Sequence, residues 1–169
     1  MHLIAALLAL CIGGFIGITK SKLLRSRVTE LEEILVMLEK IQTYLQYERL
    51  PTGDILQRLA KSESLSHLVF LPDCAARMQE AVPFPVLWKQ CVERHAPFMS
   101  LTADDRQTLH MLGSVLGGSD AKSQLNGFAL LDELTRQALT QAQESLSQKG
   151  KLYRSLGILG GVGIAILLV

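Results

Sequence analysis

With 169 residues, 49% of them hydrophobic, and a net charge of +1, the chain has room for one modest core and lacks the aromatic-interleaved basic patch of a nucleic-acid binder. The near-neutral total hides a segregation. All 16 Asp and Glu lie between Glu30 and Glu144 with only 10 of the 17 Lys and Arg, a middle of net −6, while Lys20, Lys22, Arg25, Arg27, Lys149, Lys151 and Arg154 stand beside two uncharged ends.

Leu3 to Thr19 carries no charge and is followed directly by the first basic cluster. Basic residues flanking a membrane segment tend to stay cytoplasmic, so residues 1–22 are expected to cross the membrane with the N-terminus on the far side. Met1-His2 offers no positive n-region and the charges follow the apolar run, which argues against a cleaved secretory signal. Within the segment, Gly13 and Gly17 form a Gly-x-x-x-Gly pair that lets helix backbones approach closely.

Leu24, Val28, Leu31, Leu35, Leu38, Ile41 and Leu45 recur at spacings of four and three, one apolar stripe on a helix continuing out of the membrane. Leu50-Pro51-Thr52-Gly53 ends it. Asp54 then opens a short helix carrying Ile55, Leu56 and Leu59. Further helix is expected from Ser64 to about Ala81, restarted at Pro72. Val82-Pro83-Phe84-Pro85 reads as an extended connector, because a residue before proline is pushed out of the α region.

A fourth helix follows with Leu87, Trp88, Cys91 and Val92. Thr102 with Asp105 reads as a cap and acidic first turn for a helix through Leu109, Leu112 and Leu116, which stops at Gly117-Gly118. Ser119 and Asp120 start the last helix, whose stripe is Leu125, Phe128, Leu131, Leu134, Ala138, Ala142 and Leu146. The segment 151–169 is expected to form a second span. Its 14 uncharged residues from Leu156 cover only about 21 Å of a roughly 30 Å core, so either Arg154 snorkels and Leu152 and Tyr153 join the span, or the segment is re-entrant or interfacial. Gly157 and Gly161 repeat the four-residue spacing, with Gly160 and Gly163 adding small surface. The two spans either pair with each other or pack against another protein, a homo-oligomer included.

No segment alternates with period two, so the expected class is all-α: an antiparallel bundle of about six helices over residues 23–150, facing the cytoplasm, with a transmembrane helix at each end. Its two long helices would form a stem standing on the membrane.

Chemistry has little support. Cys91 and His95 share a helix face at i, i+4, with Cys74 and His67 upstream, but no close ligand pair of the Cys-x-x-Cys kind accompanies them, and no metal or other cofactor is expected. The glycine-rich Gly113 to Ser119 lacks the Gly-Lys-Ser/Thr of a phosphate loop and reads as a helix stop. Asp104-Asp105 and Asp132-Glu133 are adjacent in helix, so their side chains diverge and read as solvated. His110, between Leu109 and Leu112, reads as packed and hydrogen-bonded. No enzyme activity is expected.

The tail Lys151-Leu152-Tyr153-Arg154-Ser155-Leu156-Gly157-Ile158-Leu159-Gly160-Gly161, preceded by Leu116-Gly117-Gly118-Ser119-Asp120, resembles the stage III sporulation protein AB family of endospore-forming bacteria. The stretch from Leu50 to Ala60 and Trp88 extend the resemblance over nearly the whole chain. It implies a component of the mother-cell machinery at the forespore boundary, a channel-like assembly related to secretion systems. It further implies a cytoplasmic domain similar to the helical domain of the inner-membrane platform proteins of type II secretion and type IV pili, with a secretion-ATPase-like subunit as a neighbour. The expected function is therefore a membrane scaffold docking other subunits; a membrane-anchored regulator or sensor is the alternative.

Overall fold

In the computed structural model the backbone is described for residues 2–118 and 121–167, and side chains for residues 21–118, 124 and 126–148. The described residues form no strand; they build six α-helices joined by short turns and connectors: α1 (His2–Thr43), α2 (Thr52–Ala60), α3 (Leu71–Ala76), α4 (Phe84–His95), α5 (Ala103–Leu116) and α6 (Ala121–Leu167). Among the described residues, no helix is both long and apolar enough to cross a membrane. Apart from Ser21 and Lys22, the two expected membrane segments, with Gly13, Gly17, Gly157, Gly160, Gly161 and Gly163, lie outside the residues whose side chains are described, as do Lys20, Lys149, Lys151 and Arg154.

α1 and α6 lie along one another, and α1 also carries α2 and the short turns between helices. A single apolar stripe cannot serve neighbours on two sides, so the buried surface of α1 widens to Leu31, Ile34, Met37, Leu38 and Ile41. From α6, Phe128, Leu131 and Ala142 face the same core. α1 ends in a π-helical turn, Tyr44–Glu48, closed by the N–H groups of Arg49 and Leu50 on the Tyr44 carbonyl. Arg49 is left-handed, with φ 48°. That reversal delivers the chain to Pro51, whose carbonyl accepts from Asp54 and Ile55 at the start of α2.

Two expected segments differ. Between Ser64 and Ala81 there is no continuous helix; a 3-10 turn at Glu63–Leu65 and the short α3 take its place. The cause is visible at His67, whose backbone N–H is drawn off to the Glu33 carboxylate at 2.9 Å and is lost to any helical ladder. Conversely, Phe84 and Pro85 belong to the first turn of α4 and not to an extended connector, which ends at Pro83 with ψ 135°. Proline at the start of a helix removes an N–H that had no partner anyway.

α4 and α5 form an antiparallel hairpin centred on Trp88. The indole is fully buried, donates to the Leu109 carbonyl at 2.7 Å, and packs edge-on against Phe70 with centroids 5.2 Å apart. A Cβ on Gly113 would lie 2.5 Å from the Trp88 ring, and one on Gly117 would lie 2.8 Å from Pro85. Gly117 has φ −79°, within reach of any residue. These glycines are therefore set by close approach of α4 to α5, beyond the helix-stop role expected of them. Gly127 does the same for α6 against Val115, at 2.7 Å.

Candidate functional site

The feature that organises the bundle is a line of polar side chains down α1 beside its apolar stripe. Arg27, Glu30, Glu33 and Lys40 recur at spacings of three and seven, which keeps them on neighbouring rows of the helix. Each reaches a different part of the chain. Arg27 donates Nε to Asp105 Oδ2 at 2.8 Å and Nη2 to Oδ1 at 3.0 Å. Both oxygens of Glu30 accept the Ser100 N–H, at 2.9 and 2.8 Å, and one also takes the Ser26 hydroxyl. Glu33 accepts from the His67 backbone N–H and, at 2.6 Å, from its Nδ1. Lys40 Nζ donates to Ser62 Oγ at 2.7 Å.

At the end of the π-turn, Glu48 takes Arg58 of α2 at 2.6 Å while the same guanidinium lies 5.4 Å from the Tyr44 ring centroid. Read upward, α1 holds the α4–α5 turn, then the α2–α3 connection, then α2 itself.

Two carboxylates of this line, Glu30 and Glu33, are buried, as is Asp105 of α5. Burial pushes the Glu30 carboxyl up, and the N–H of Ser100 and the hydroxyl of Ser26 only partly offset it. Burial also raises Asp105, but Arg27 and the Thr102 N–H outweigh that, leaving it below its ordinary value. Asp105 is therefore a charged staple whose oxygens are taken by Arg27 and by the capping box with Thr102, which accepts the Asp105 N–H at 3.2 Å. Its side chain is 1% exposed. This corrects the expectation that Asp104-Asp105 is a solvated pair. Asp104 remains exposed; Asp105 is turned inward by the cap and held by an arginine 78 residues away.

Arg27, in the basic cluster that follows the uncharged N-terminal segment, turns its guanidinium into the bundle, while Lys22 and Arg25 are exposed.

Of the candidate chemical groups, Cys74 and Cys91 lie against each other with His95 and Asp73 beside them, while His67 and His110 stand apart. His67 is engaged by Glu33; His95 Nδ1 faces the Cys91 carbonyl at 3.0 Å, not the thiol. Cys74 and Cys91 are buried, and desolvation drives both thiols above their ordinary range, the inert end of cysteine behaviour. Arg77, held by Glu80, points Nη1 at the Cys91 sulfur from 3.7 Å. His110 is half-buried, its pKa lowered by that burial, with Nε2 3.0 Å from Glu93 Oε1 but without hydrogen-bond geometry. Asp132 pairs with Arg136 at 2.7 Å, and Glu133 is exposed. Among the described residues no group of three His, Cys, Asp or Glu is placed to hold a metal ion. A furrow of about 430 Å³ runs between α1 and α6, floored by Leu35, Val36 and Ala129 and edged by Glu39, Gln42, Asp132 and Arg136.

Arg27 and Glu30 together tie the α4–α5 turn to α1, and Glu33 and Lys40 together tie the α2–α3 connection to it. The sequence profile of Stage III sporulation protein AB matches residues 2–169. The chain belongs to that family.

Membership gives it a role in sporulation. No curated protein and no solved structure matches it. The segments that carry the family resemblance have structural work to do: Leu50 to Ala60 forms the reversal after α1 and all of α2, and Trp88 is the pivot of the α4–α5 hairpin. The polar line on α1 escaped the sequence reading because Glu30 and Glu33 look like ordinary charges among Glu32 and Glu39. No local signal set them apart, since Glu32 and Glu39 border the apolar stripe at Val28 and Leu35 as closely as Glu30 and Glu33 do on its other side.

Proposed function

We propose that this member of the stage III sporulation protein AB family is a non-enzymatic platform subunit, anchored at both ends in the mother-cell membrane facing the forespore, with its acidic bundle in the cytoplasm. α1 and α6 form its antiparallel stem. The bundle docks other subunits of a secretion-like or channel-like apparatus, a secretion-ATPase-like subunit among them, and relays their motion to the membrane. One observation carries this reading: α1 and α6 each run unbroken from the bundle into an uncharged end, over His2–Thr43 and Ala121–Leu167. A continuous helix is a stiff rod, and both rods pass through the basic clusters where a bilayer surface would lie.

Insertion of a Pro-Gly pair beside Arg25 or Lys149 breaks the rod without touching the core. Heat-resistant spore counts should fall by orders of magnitude with protein level unchanged. Normal sporulation in both variants, or a topology reporter placing the N-terminus in the cytoplasm, would refute the reading.

A further inference from the structure

The α4–α5 turn has an outward-facing aromatic that the bundle does not use. Phe98 is 77% exposed, between an exposed Pro97 and Met99, which is buried. Its place in the fold gives it a direction. α4 and α5 run antiparallel, with Pro85 against Gly117 at one end and Glu93 against Arg106 at the other. The latter end is the turn, and it is fixed to α1 at Glu30 by Ser100 and at Arg27 by Asp105. The opposite end of α5 reaches α6, where Val115 meets Gly127 close to the Ala129 that shares a furrow with Leu35 and Gln42 of α1. α5 therefore ascends parallel to α1, and the α4–α5 turn is the tip of the hairpin nearest the uncharged start of α1. Leu23, 53% exposed, and the exposed Lys22 and Arg25 occupy α1 at the same end.

We infer that this tip rests on the bilayer, with Phe98 and Leu23 entering an anionic headgroup layer whose charge Lys22 and Arg25 meet. The inference rests on the membrane anchoring proposed above. The reach is adequate. Glu30 lies about 16 Å along α1 from Thr19 at 1.5 Å per residue; two residues back from Ser100 and the length of a phenylalanine side chain, directed toward the bilayer, span at most roughly 12 Å of that. The ring then falls within the headgroup layer, which is about 5–7 Å deep on each side. Exposed Phe and Leu beside Lys and Arg is the composition of interfacial contacts; at this end the layer must accommodate two exposed carboxylates, Asp104 at the start of α5 and Glu93, which is paired with Arg106. Such a contact turns the turn into a second foot beside α1. A load on α4 or α5 is then braced against the bilayer.

The test uses the full chain in phosphatidylcholine vesicles containing phosphatidylglycerol, with bromines on the acyl carbons nearest the headgroup as tryptophan quenchers. Phe98→Trp is compared with Val86→Trp, an exposed position at the other end of the same hairpin; the signal of the buried Trp88 is subtracted using the parent chain. Expected are co-flotation of both variants with vesicles and at least about twofold stronger lipid quenching at position 98, with a blue-shifted emission. If both float and the two positions are quenched equally, the tip does not touch lipid and this inference falls while the anchoring stands. If neither floats, the anchoring fails and takes the inference with it.

Discussion

Arg27 and Asp105 meet through two parallel hydrogen bonds, 2.8 and 3.0 Å long, between the first turns of α1 beyond its uncharged segment and the first turn of α5. Their pairing decides where the α4–α5 hairpin stands along α1.

Removing the arginine leaves a buried carboxylate without its counter-charge, the expensive way to break such a pair. Arg27→Met should lower stability by about 3 kcal/mol, whereas Asp105→Asn, which keeps most of the cap, should cost roughly 1–2 kcal/mol. Chemical denaturation of the full chain in detergent, followed by circular dichroism, measures both. Equal small losses would mean the pair contributes no more than a surface salt bridge.

Acid should act through Asp105 and in the opposite sense through Glu30. Asp105 is held below its ordinary value of 3.8, so its contribution is present above that value and lost as pH falls through the lower, folded value. Glu30 is raised above 4.5, so its contribution is greatest below 4.5 and declines as pH rises through the folded value. Denaturation midpoints across pH 2–8 should therefore show the acid-side loss reduced in Asp105→Asn, and the decline above pH 4.5 reduced in Glu30→Gln.

Glu30 separates charge from hydrogen bonding. Glu30→Gln retains an acceptor for the Ser100 N–H and should cost about 1 kcal/mol, while Glu30→Ala frees the turn and should cost about 2–3 kcal/mol. Amide exchange at Ser100 should accelerate in the alanine variant by at least about tenfold, the rate equivalent of 1.4 kcal/mol.

The close approaches at glycine are testable individually. Gly113→Ala places a methyl 2.5 Å from the Trp88 ring, which is fully buried, and should destabilise by about 2–3 kcal/mol. At Gly53 the nearest atom to an added Cβ is the flexible Met78 methyl at 3.9 Å, and Gly53→Ala should be neutral within about 0.5 kcal/mol.

Arg49 sits in the left-handed region at φ 48°, where a Cβ crowds the backbone. Arg49→Gly relieves that and should raise the melting temperature, by about 0.5–1 kcal/mol of added stability once the extra chain entropy of glycine is subtracted. A fall would show that the arginine side chain makes a contribution larger than the strain it imposes.

The sequence by itself determined the helices whose signals are local. The stripe through Leu31, Leu38 and Ile41, the buried triplet Ile55, Leu56 and Leu59, and the Thr102–Asp105 capping box are all present as read, because periodicity and caps are settled within a few residues. The family was legible too, from the tail and the Leu50–Ala60 stretch. Only the tertiary structure decided that Asp105 is buried, that Arg27 turns inward, and that Gly113 is needed by Trp88. It also decided that His67 gives its N–H to Glu33 and so breaks the helix expected around it. Those outcomes depend on partners 25 to 78 residues distant. A charged or small residue on a helix flank carries the same local signature whether it meets water or another helix; packing alone chooses between them.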